Sequence, residues 1–312
     1  MSYTVQQHHV LQYSQNVEML LQQSGQRLTG FVSRGSYTGK AGSPVDQIGA
    51  IGVIRNRARH ADTPHISVPG DRRWVYPNTL TASTLVDNLD ITRVLIDLKS
   101  SYTKAIAMAM GRAYDDEIGV AFFGSAMTGE QGTTPIAFPA GQQVGVNVGG
   151  ANSGLNVPKL RAAKRYLMAA GVDIATTPIH MTITSVEHDN LLGELQVTNM
   201  DYTEKPVLTE GRVTSFLGIQ FHHVEWQSLL TDGVTPSYPL SLASIVPGGT
   251  GGTTRALPVW VEDGMHFGTW DALQNKVDQR SDKNYNWQLW SEGQAGGTRL
   301  QEKKVVMVNV NG

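Results

Sequence analysis

The first regular pattern along the chain is a short amphipathic stripe followed by a stretch with few apolar residues. The apolar positions of residues 8–22 recur at helical spacing and are Val10, Tyr13, Val17, Leu20 and Leu21. Beyond Gly25 the chain is rich in Gly, Ser and Thr through Gly42, a composition that adds little to a core. The pattern predicts an arm, in which a small helix sits on an extended tether.

Residues 47–86 show the alternation that is typical of strands. One strand is predicted near residues 48–57 and a second near residues 72–86, where Trp74, Tyr76 and Leu80 fall at even spacing. The segment between them is polar and ends in a turn signal. A hairpin with so few large apolar residues cannot bury a core of its own, so we expect it to lie on another surface.

The strongest helical pattern runs from residue 98 to about residue 124, where Gly124 ends it. A helix of this length is a rod of about 39 Å. Its predicted apolar stripe consists of Tyr102, Ala105, Ile106, Ala109, Ala113 and Val120. The acidic residues Asp115, Asp116 and Glu117 are predicted to lie on the solvated side of this helix.

The remaining chain mixes helices and strands. Helices are predicted over residues 158–170 and 186–195, the second capped by Ser185. Strands are predicted near residues 179–184, 215–225, 257–262 and 303–309, and loops over residues 127–154 and 244–254. An arm, a hairpin, a long helix and then mixed elements predict an α+β fold.

Composition narrows the class of protein. The 312 residues suffice for one large domain or two ordinary ones. The chain has no cysteine, which excludes disulfides and thiolate metal sites. It also lacks an apolar run of membrane-spanning length and a secretion signal at its start. We therefore expect a protein that is made and used inside the cell, with no membrane partner.

Charge is distributed unevenly along the chain. Residues 1–75 hold eight Lys or Arg and four acidic residues, a balance of +4, which leaves −6 for the rest of a chain whose net charge is −2. A basic front segment and an acidic body could pair within one chain or between copies. The near-neutral total does not favour a general nucleic-acid-binding role.

Catalytic and cofactor motifs are absent from the sequence. The nearest approach to a phosphate-binding loop, from Gly35 to Ala41, is one residue short and ends without the hydroxyl that holds magnesium. Neither GxSxG nor HExxH occurs. We predict no catalytic residue, no cofactor and no metal site. A hydrolase whose site is assembled from distant residues, such as His180, His188 and Asp189, stays open as an alternative.

Four stretches, taken in order, resemble a known family. They are VEMLLQQSGQRLTGFVSRGSYTGKAGSPVDQIG, DTPHISVPGDRRWVYPNTLTASTLVDNLD, DLKSSYTKAIAMAMGRAYDDEIGVAFFGSAMTGEQG and KVDQRSDKNYNWQLWSEGQAGGTRLQEKKVVMVNV. Their order over nearly the whole chain resembles the major capsid proteins of tailed bacteriophages, which have the Hong Kong 97-like fold. One departure is Leu98, where members of the family often have Pro, and it bears on where the long helix begins.

The resemblance implies a division of the chain into parts. These are an N-terminal arm (1–46), an E-loop hairpin (47–86), a P-domain (87–150 and 270–312) with a spine helix over about 98–124, and an A-domain (151–269). It further implies a structural subunit that self-assembles into the icosahedral head around a double-stranded DNA genome. Such a protein would be found in the virion and assembled in the cytoplasm of a host bacterium.

The resemblance also implies partners. The first is the chain itself, in hexamers and pentamers. Portal and scaffold or decoration proteins are expected too, together with packaged DNA through non-specific contact. Because the arm and the E-loop are poor in apolar residues, we expect neighbouring copies to order them. The candidate inter-subunit contacts are Arg55, Arg57, Arg59, Arg72, Arg73, Trp74, Asp115, Asp116 and Glu117.

Two further alternatives remain at this stage. A compartment shell of the encapsulin kind has the same fold and differs by its cargo and by its neighbouring genes. A scaffold or decoration protein is the other alternative, and the long hairpin and the spine helix argue against it.

Overall fold

The computed structural model describes residues 26–49, 51–53, 55, 65–87, 98–194, 197, 211–225 and 254–311. The helices are α1 (Leu98–Phe123), α2 (Val157–Ala169) and α3 (Ser185–Leu192). The strands are β1 (Ser33–Ser36), β2 (Gly42–Ile48), β3 (Gly70–Val75), β4 (Asn78–Val86), β5 (Ala126–Thr128), β6 (Thr134–Ile136), β7 (Gln143–Val144), β8 (Ile179–Ile183), β9 (Ser215–Phe216), β10 (Ile219–His223), β11 (Thr254–Val261), β12 (Met265–Arg280), β13 (Asn286–Arg299) and β14 (Val305–Asn311). The predicted α+β class is confirmed. The helix predicted over residues 8–22 lies outside the described residues.

Three sheets organise the strands. One has the order β1–β12–β13–β4, another has the order β7–β14–β11–β8–β10–β9, and a small one has the order β2–β3–β5–β6. None of the helices in the described ranges combines the length and the apolar character needed to cross a bilayer.

The six-stranded sheet is buried on both faces where β11 and β14 pair. Successive side chains of a strand point to opposite faces, and the two strands use this alternation fully. Val259 and Val306 pack in a core with α2 and α3, whereas Trp260 and Val305 pack in a second core with α1. This sheet therefore connects the two cores of the molecule.

Helix α1 is buried along its second half and largely exposed along its first. The buried apolar side chains are Met110, Ala113, Tyr114, Ile118 and Phe122. The predicted stripe is wrong at both ends, because Tyr102 and Val120 are exposed. The reason is that β13 and β4 cover one side of the second half, while the turn Thr29–Phe31 covers another.

The hairpin predicted over residues 47–86 is wrong in its strand limits. The first strand is β2, which precedes the predicted position, and it pairs antiparallel with β3 so that Ile48 faces Gly70. The second predicted strand is divided at Tyr76 and Pro77, beyond which β4 pairs with β13 instead. Proline has no backbone N–H for a ladder, which fits a change of partner at this point.

The capping of α3 also differs from the prediction. Thr184 precedes the helix in extended conformation, and the Glu187 carboxylate accepts hydrogen bonds from its backbone N–H and its hydroxyl. Thr184 and Glu187 thus form a capping box, and Ser185 is the first helical residue rather than the cap.

The long hairpin of β12 and β13 was not evident from periodicity. Its turn contains Asn284 and Tyr285, both with positive φ, and Arg280 forms a bidentate ion pair with Asp282 beside it. The outer part of β12 is exposed, so its strand shows no regular apolar alternation.

The sheets do not follow the domain limits expected at residues 269 and 270. Strand β14 lies in the six-stranded sheet with β8 and β10, while the first residues of β12, before position 270, pair with β13. The division into named domains stays a prediction.

Two adjacent glycines of β13 allow close packing on two neighbours, Gly296 on the chain at Tyr76 and Gly297 on α1. A methyl group at Gly296 would lie 2.0 Å from the carbonyl oxygen of Tyr76, and one at Gly297 would lie 2.8 Å from the Ala121 methyl group.

The last residue of β13 is Arg299, which is buried and donates to the carbonyl oxygens of Phe122 and Gly124 at the end of α1. These are carbonyls that a helix end leaves without partners, so Arg299 caps the spine.

We expect Gly296→Ala to lower the free energy of unfolding by about 1–3 kcal/mol, because the backbone of Tyr76 lies too close for the added methyl group and cannot rotate away as a side chain could. Gly52→Ala is the matched control, since no atom lies within 4 Å of its added methyl group. Denaturant unfolding of the unassembled protein should separate the two variants. An equal loss in both would contradict the packing argument.

Candidate assembly interface

The small sheet β2–β3–β5–β6, called the platform below, includes strand β3 and the end of β2 from the segment predicted to be the E-loop. The Arg72 guanidinium holds Asp46 across β2 and β3, with N–O distances of 2.5 and 3.0 Å. This hydrogen-bonded pair lowers the pKa of Asp46. The Trp74 indole N–H donates to the carbonyl oxygen of Gly129 at 2.7 Å. Arg72 and Trp74, both predicted as contacts to a neighbour, therefore have partners within their own chain.

Arg73 points the opposite way from Arg72 and is buried. Its Nη2 lies 2.8 Å from Glu302 Oε2, and the Arg73 side chain is only 5% exposed. Beside it, the Gln47 side-chain amide donates to the carbonyl oxygen of Leu300. The adjacent Arg299 is also buried, which lowers its pKa to about 10 and leaves it charged at neutral pH. The platform is thus tied to the chain that follows β13.

The predicted exposure of the spine acids is wrong. Asp115 and Asp116 are buried, and the Asp115 carboxylate accepts hydrogen bonds from the backbone N–H groups of Arg27 and Leu28. Burial raises the pKa of Asp115 to about 6. Glu117 accepts a hydrogen bond from Asn78, and burial raises its pKa as well. Arg27, Leu28 and β4 therefore cover much of this face within the same chain, and a contact of these acids with another copy stays a prediction.

The part of the E-loop that leaves the platform exposes apolar side chains. Ile48, Ile51 and Val53 are 80%, 65% and 94% exposed, and Val45 is also exposed. Arg55 follows them and is exposed. Arg57 and Arg59, the other predicted contacts, lie outside the described residues.

The first half of α1 is the second exposed feature. Tyr102 is exposed, Ala105 and Ile106 are half-buried, and Lys104 is the charged residue among them. This stretch has no acidic side chain between residues 101 and 109. The described side chains of residues 101–109 thus carry one positive charge, from Lys104, and no negative charge that would attract basic residues.

The residues of the hydrolase alternative have unrelated surroundings. His180 Nδ1 lies 3.0 Å from His222 Nε2, in contact with Phe31 and Trp260. His188 instead accepts the backbone N–H of Val213, and Asp189 is exposed. In the part of the chain that the structure describes, no three His, Asp or Glu side chains are grouped so that they could hold a metal ion.

The sequence as a whole matches a known protein family. The model of a family described as phage capsid protein matches residues 5–311. The chain belongs to the phage capsid protein family. It is accordingly a structural subunit of a tailed-phage head shell, and its place is the capsid of the virion. No curated protein sequence matches it.

Solved capsid structures share the fold of this capsid protein. The capsid of cyanophage P-SCSP1u has a TM-score of 0.71 at 10% identity, with 96% of this chain and 93% of that chain covered. A structure from Mycobacterium phage Che8 has a TM-score of 0.68 at 12% identity, with 95% of both chains covered. The capsid of cyanophage Pam1 has a TM-score of 0.67 at 12% identity, with 100% and 98% covered. The predicted Hong Kong 97-like fold is confirmed, and self-association into a capsid lattice follows from the family.

Sequence reasoning missed Glu302 and Arg299 as parts of the platform. Glu302 stands in a short turn of charged residues, Glu302–Lys304, which reads as solvated surface. The sequence signal for a buried arginine was the Arg72-Arg73 pair itself, because adjacent residues of a strand face opposite sides of the sheet. If one arginine faces solvent, the other faces inward and needs an acidic partner there, and that partner, Glu302, lies far away in sequence.

Arg73→Ala should lower the free energy of unfolding by about 3 kcal/mol, because it leaves Glu302 without its buried partner. Arg72→Ala is the matched control on the neighbouring residue, and its unfolding midpoint should stay close to that of the original protein, since solvent screens exposed pairs. Urea unfolding of both variants measures the difference. A loss for Arg72→Ala as large as for Arg73→Ala would contradict the assignment.

Proposed function

We propose that this capsid protein builds closed icosahedral heads from hexamers and pentamers, around packaged double-stranded DNA, without catalysing a reaction. Assembly takes place in the cytoplasm of the host bacterium, with a portal and with scaffold or decoration proteins as further partners. In this proposal the arm, E-loop, P-domain and A-domain have the roles that the family resemblance implies. The P-domain, residues 87–150 and 270–312, would contain α1 and most of the β12–β13 hairpin. The A-domain, residues 151–269, would contain α2, α3 and strands β8 to β11.

The observation that carries the proposal is the exposed apolar strip of the E-loop, Ile48, Ile51 and Val53. Burial of one such side chain is worth about 1.5–3 kcal/mol. A strip of three on one projecting segment is thus a strong site for a second protein surface. Because every copy has the same strip, a lattice repeats the contact at each subunit.

The surface that receives this strip is the first half of α1 on the next copy. It is exposed in the single chain, it carries apolar side chains such as Tyr102 and Ile106, and it has no acidic residue to desolvate. Arg55 would lie at the rim, where its charge can remain in water. The contact is therefore apolar, in place of the charge pairing with Asp115 and Asp116 that the sequence suggested.

The near-neutral net charge of the chain supports weak contact between the shell and the packaged DNA. A strongly basic inner surface would bind the phosphate backbone by releasing counterions, whereas this chain has a net charge of −2. The proposal is non-specific contact with DNA and no reading of bases.

Electron microscopy of the purified recombinant protein tests the class of function. We expect closed shells, or rings of five and six subunits. Protein that stays monomeric at high concentration would contradict the proposal and favour the alternative of a hydrolase. Shells that contain a protein cargo and no nucleic acid when isolated from the native host would favour a compartment of the encapsulin kind.

The apolar strip gives a sharper test. Ile51→Asp combined with Val53→Asp should abolish shells and leave soluble subunits, because two charges would have to be buried at the contact. The matched control is Ile51→Val with Val53→Ile, which keeps the strip apolar and should assemble. Shell yield is read by sedimentation and electron microscopy, and circular dichroism checks that both variants fold. Normal shells from the aspartate variant would overturn the proposed contact.

A further inference from the structure

Residues 26–37 cross their own subunit and are held at three places. At the first, the Asp115 carboxylate on α1 accepts the backbone N–H groups of Arg27 and Leu28 at 2.9 and 3.0 Å. The Leu28 side chain is fully buried beside it. The Arg27 guanidinium also donates to the carbonyl oxygen of His223 at 2.6 Å. This segment, called the latch below, is therefore folded onto the body, contrary to the expectation that only neighbouring copies would order it.

The second place is a ring cluster around Phe31. Its ring stacks on His222, with 3.8 Å between the centroids, and its carbonyl oxygen accepts the indole N–H of Trp260. His222 in turn shares a hydrogen bond with His180, 3.0 Å from nitrogen to nitrogen. Such a bond needs one imidazole to donate and the other to accept. The two rings therefore cannot both be protonated while it persists.

The third place is His266 on β12. Ser33 Oγ donates to the carbonyl oxygen of Met265 and lies 2.9 Å from His266 Nδ1, while the Tyr37 hydroxyl lies 2.7 Å from His266 Nε2. Because Ser33 donates its proton to Met265, Nδ1 donates to Ser33 Oγ, and in the neutral ring Nε2 accepts from the Tyr37 hydroxyl. A second proton on the ring would reverse the bond to Tyr37. His266 is buried, and its register partner on β13 is the uncharged Thr298.

We propose that residues 26–37 are an acid-releasable latch, which docks on its own subunit at neutral pH and is freed when the histidines of the body take up protons. The release itself is a property of the single chain. Its use, to free the arm for a contact with another copy, rests on the proposed function.

The histidines set the sign of the pH dependence. Burial lowers the pKa of His266 to about 4, and burial together with His180 lowers that of His222 to about 4. Once released and solvated, each would return to about 6.5. The released state therefore binds more protons than the docked state between these values. Docking is strongest above about pH 6.5 and weakens as the pH falls towards 4.

One group acts in the opposite direction. Burial raises the pKa of Asp115 to about 6, so the docked state takes up a proton there below pH 6 and is favoured by acid. The other charged or titratable groups around the ring cluster are exposed or paired with protein atoms: His223 pairs with Glu225, Arg27 bonds a carbonyl oxygen, and His188 accepts a backbone N–H. Two histidine sites outweigh one carboxyl group, and the net effect of acid is release.

Hydrogen exchange on the full-length, unassembled protein tests the latch. The reporting amides are those of Arg27 and Leu28, which donate to Asp115, that of Tyr37, which donates to the carbonyl oxygen of Thr269, and that of Phe31, which donates to the carbonyl oxygen of Leu28. After correction for intrinsic exchange rates, their protection should fall at least about tenfold between pH 7.5 and 5.0. Amides of β8 should keep their protection over the same range.

Variants identify the groups responsible. The double variant is His266→Gln with His222→Phe. The glutamine amide can still donate and accept hydrogen bonds beside Ser33 and Tyr37, and the phenylalanine ring can still stack on Phe31. Neither new side chain can be protonated. We expect its latch protection to be nearly independent of pH. His65→Gln, at an exposed histidine, is the matched control and should behave like the original protein. If the double variant does not fold, His266→Gln alone should reduce the pH dependence.

Three results would overturn the proposal. The first is latch protection in the original protein that does not change with pH. The second is an equal loss of protection in the latch and in β8, which would indicate general acid unfolding. The third is a histidine variant with undiminished pH dependence. None of these results depends on whether shells form, so a failure of the latch can be told apart from a failure of the proposed function.

Discussion

The structure depends on the burial of the second half of α1. One side of the helix meets β13 so closely that there is no room for a side chain at Gly297, and Arg299 from the same strand caps the helix end. Another side is covered by the turn that contains Leu28. The six-stranded sheet meets the same core through Trp260 and Val305. Each part of the subunit is thus positioned by one helix.

What remains uncovered follows from the same packing. The cover becomes thinner before Met110, so residues 101–109 of α1 are exposed or half-buried within the described part of the chain. The E-loop platform is held by the Arg73–Glu302 pair, while its projecting segment presents Ile51 and Val53 without a partner in the described residues. In the proposed lattice, the exposed apolar strip of one copy and this partly covered helix surface of the next would complete each other.

The spacing of apolar residues correctly predicted helices and strands whose apolar side chains pack on one core. Helix α2 and strand β8 have regular apolar spacing because each packs on a single core, and both were found where periodicity placed them. The long β12–β13 hairpin was missed because much of β12 faces water on both sides. The predicted strand at residues 48–57 failed because the pairing of β2 with β3 is set by contacts outside the segment.

The errors in the predicted exposure of charged residues have one physical cause. Charged residues next to each other in sequence were read as surface, yet Asp115 binds the arm and Arg73 binds Glu302. Periodicity cannot reveal partners that lie so far away along the chain. The order of motifs over the whole chain carried the correct family, since it reports on the complete fold rather than on any one contact.

The central claim is that the E-loop of one copy covers the first half of α1 on the next. The chain has no cysteine, so engineered disulfides report on this contact without background. Cysteine at Val53 should be combined in turn with cysteine at Tyr102, Ala105 or Ile106, and assembled shells should be oxidised. The account predicts ladders of cross-linked subunits for at least one pair and none for the single cysteines. Intact shells that give only monomers for all three pairs would contradict it.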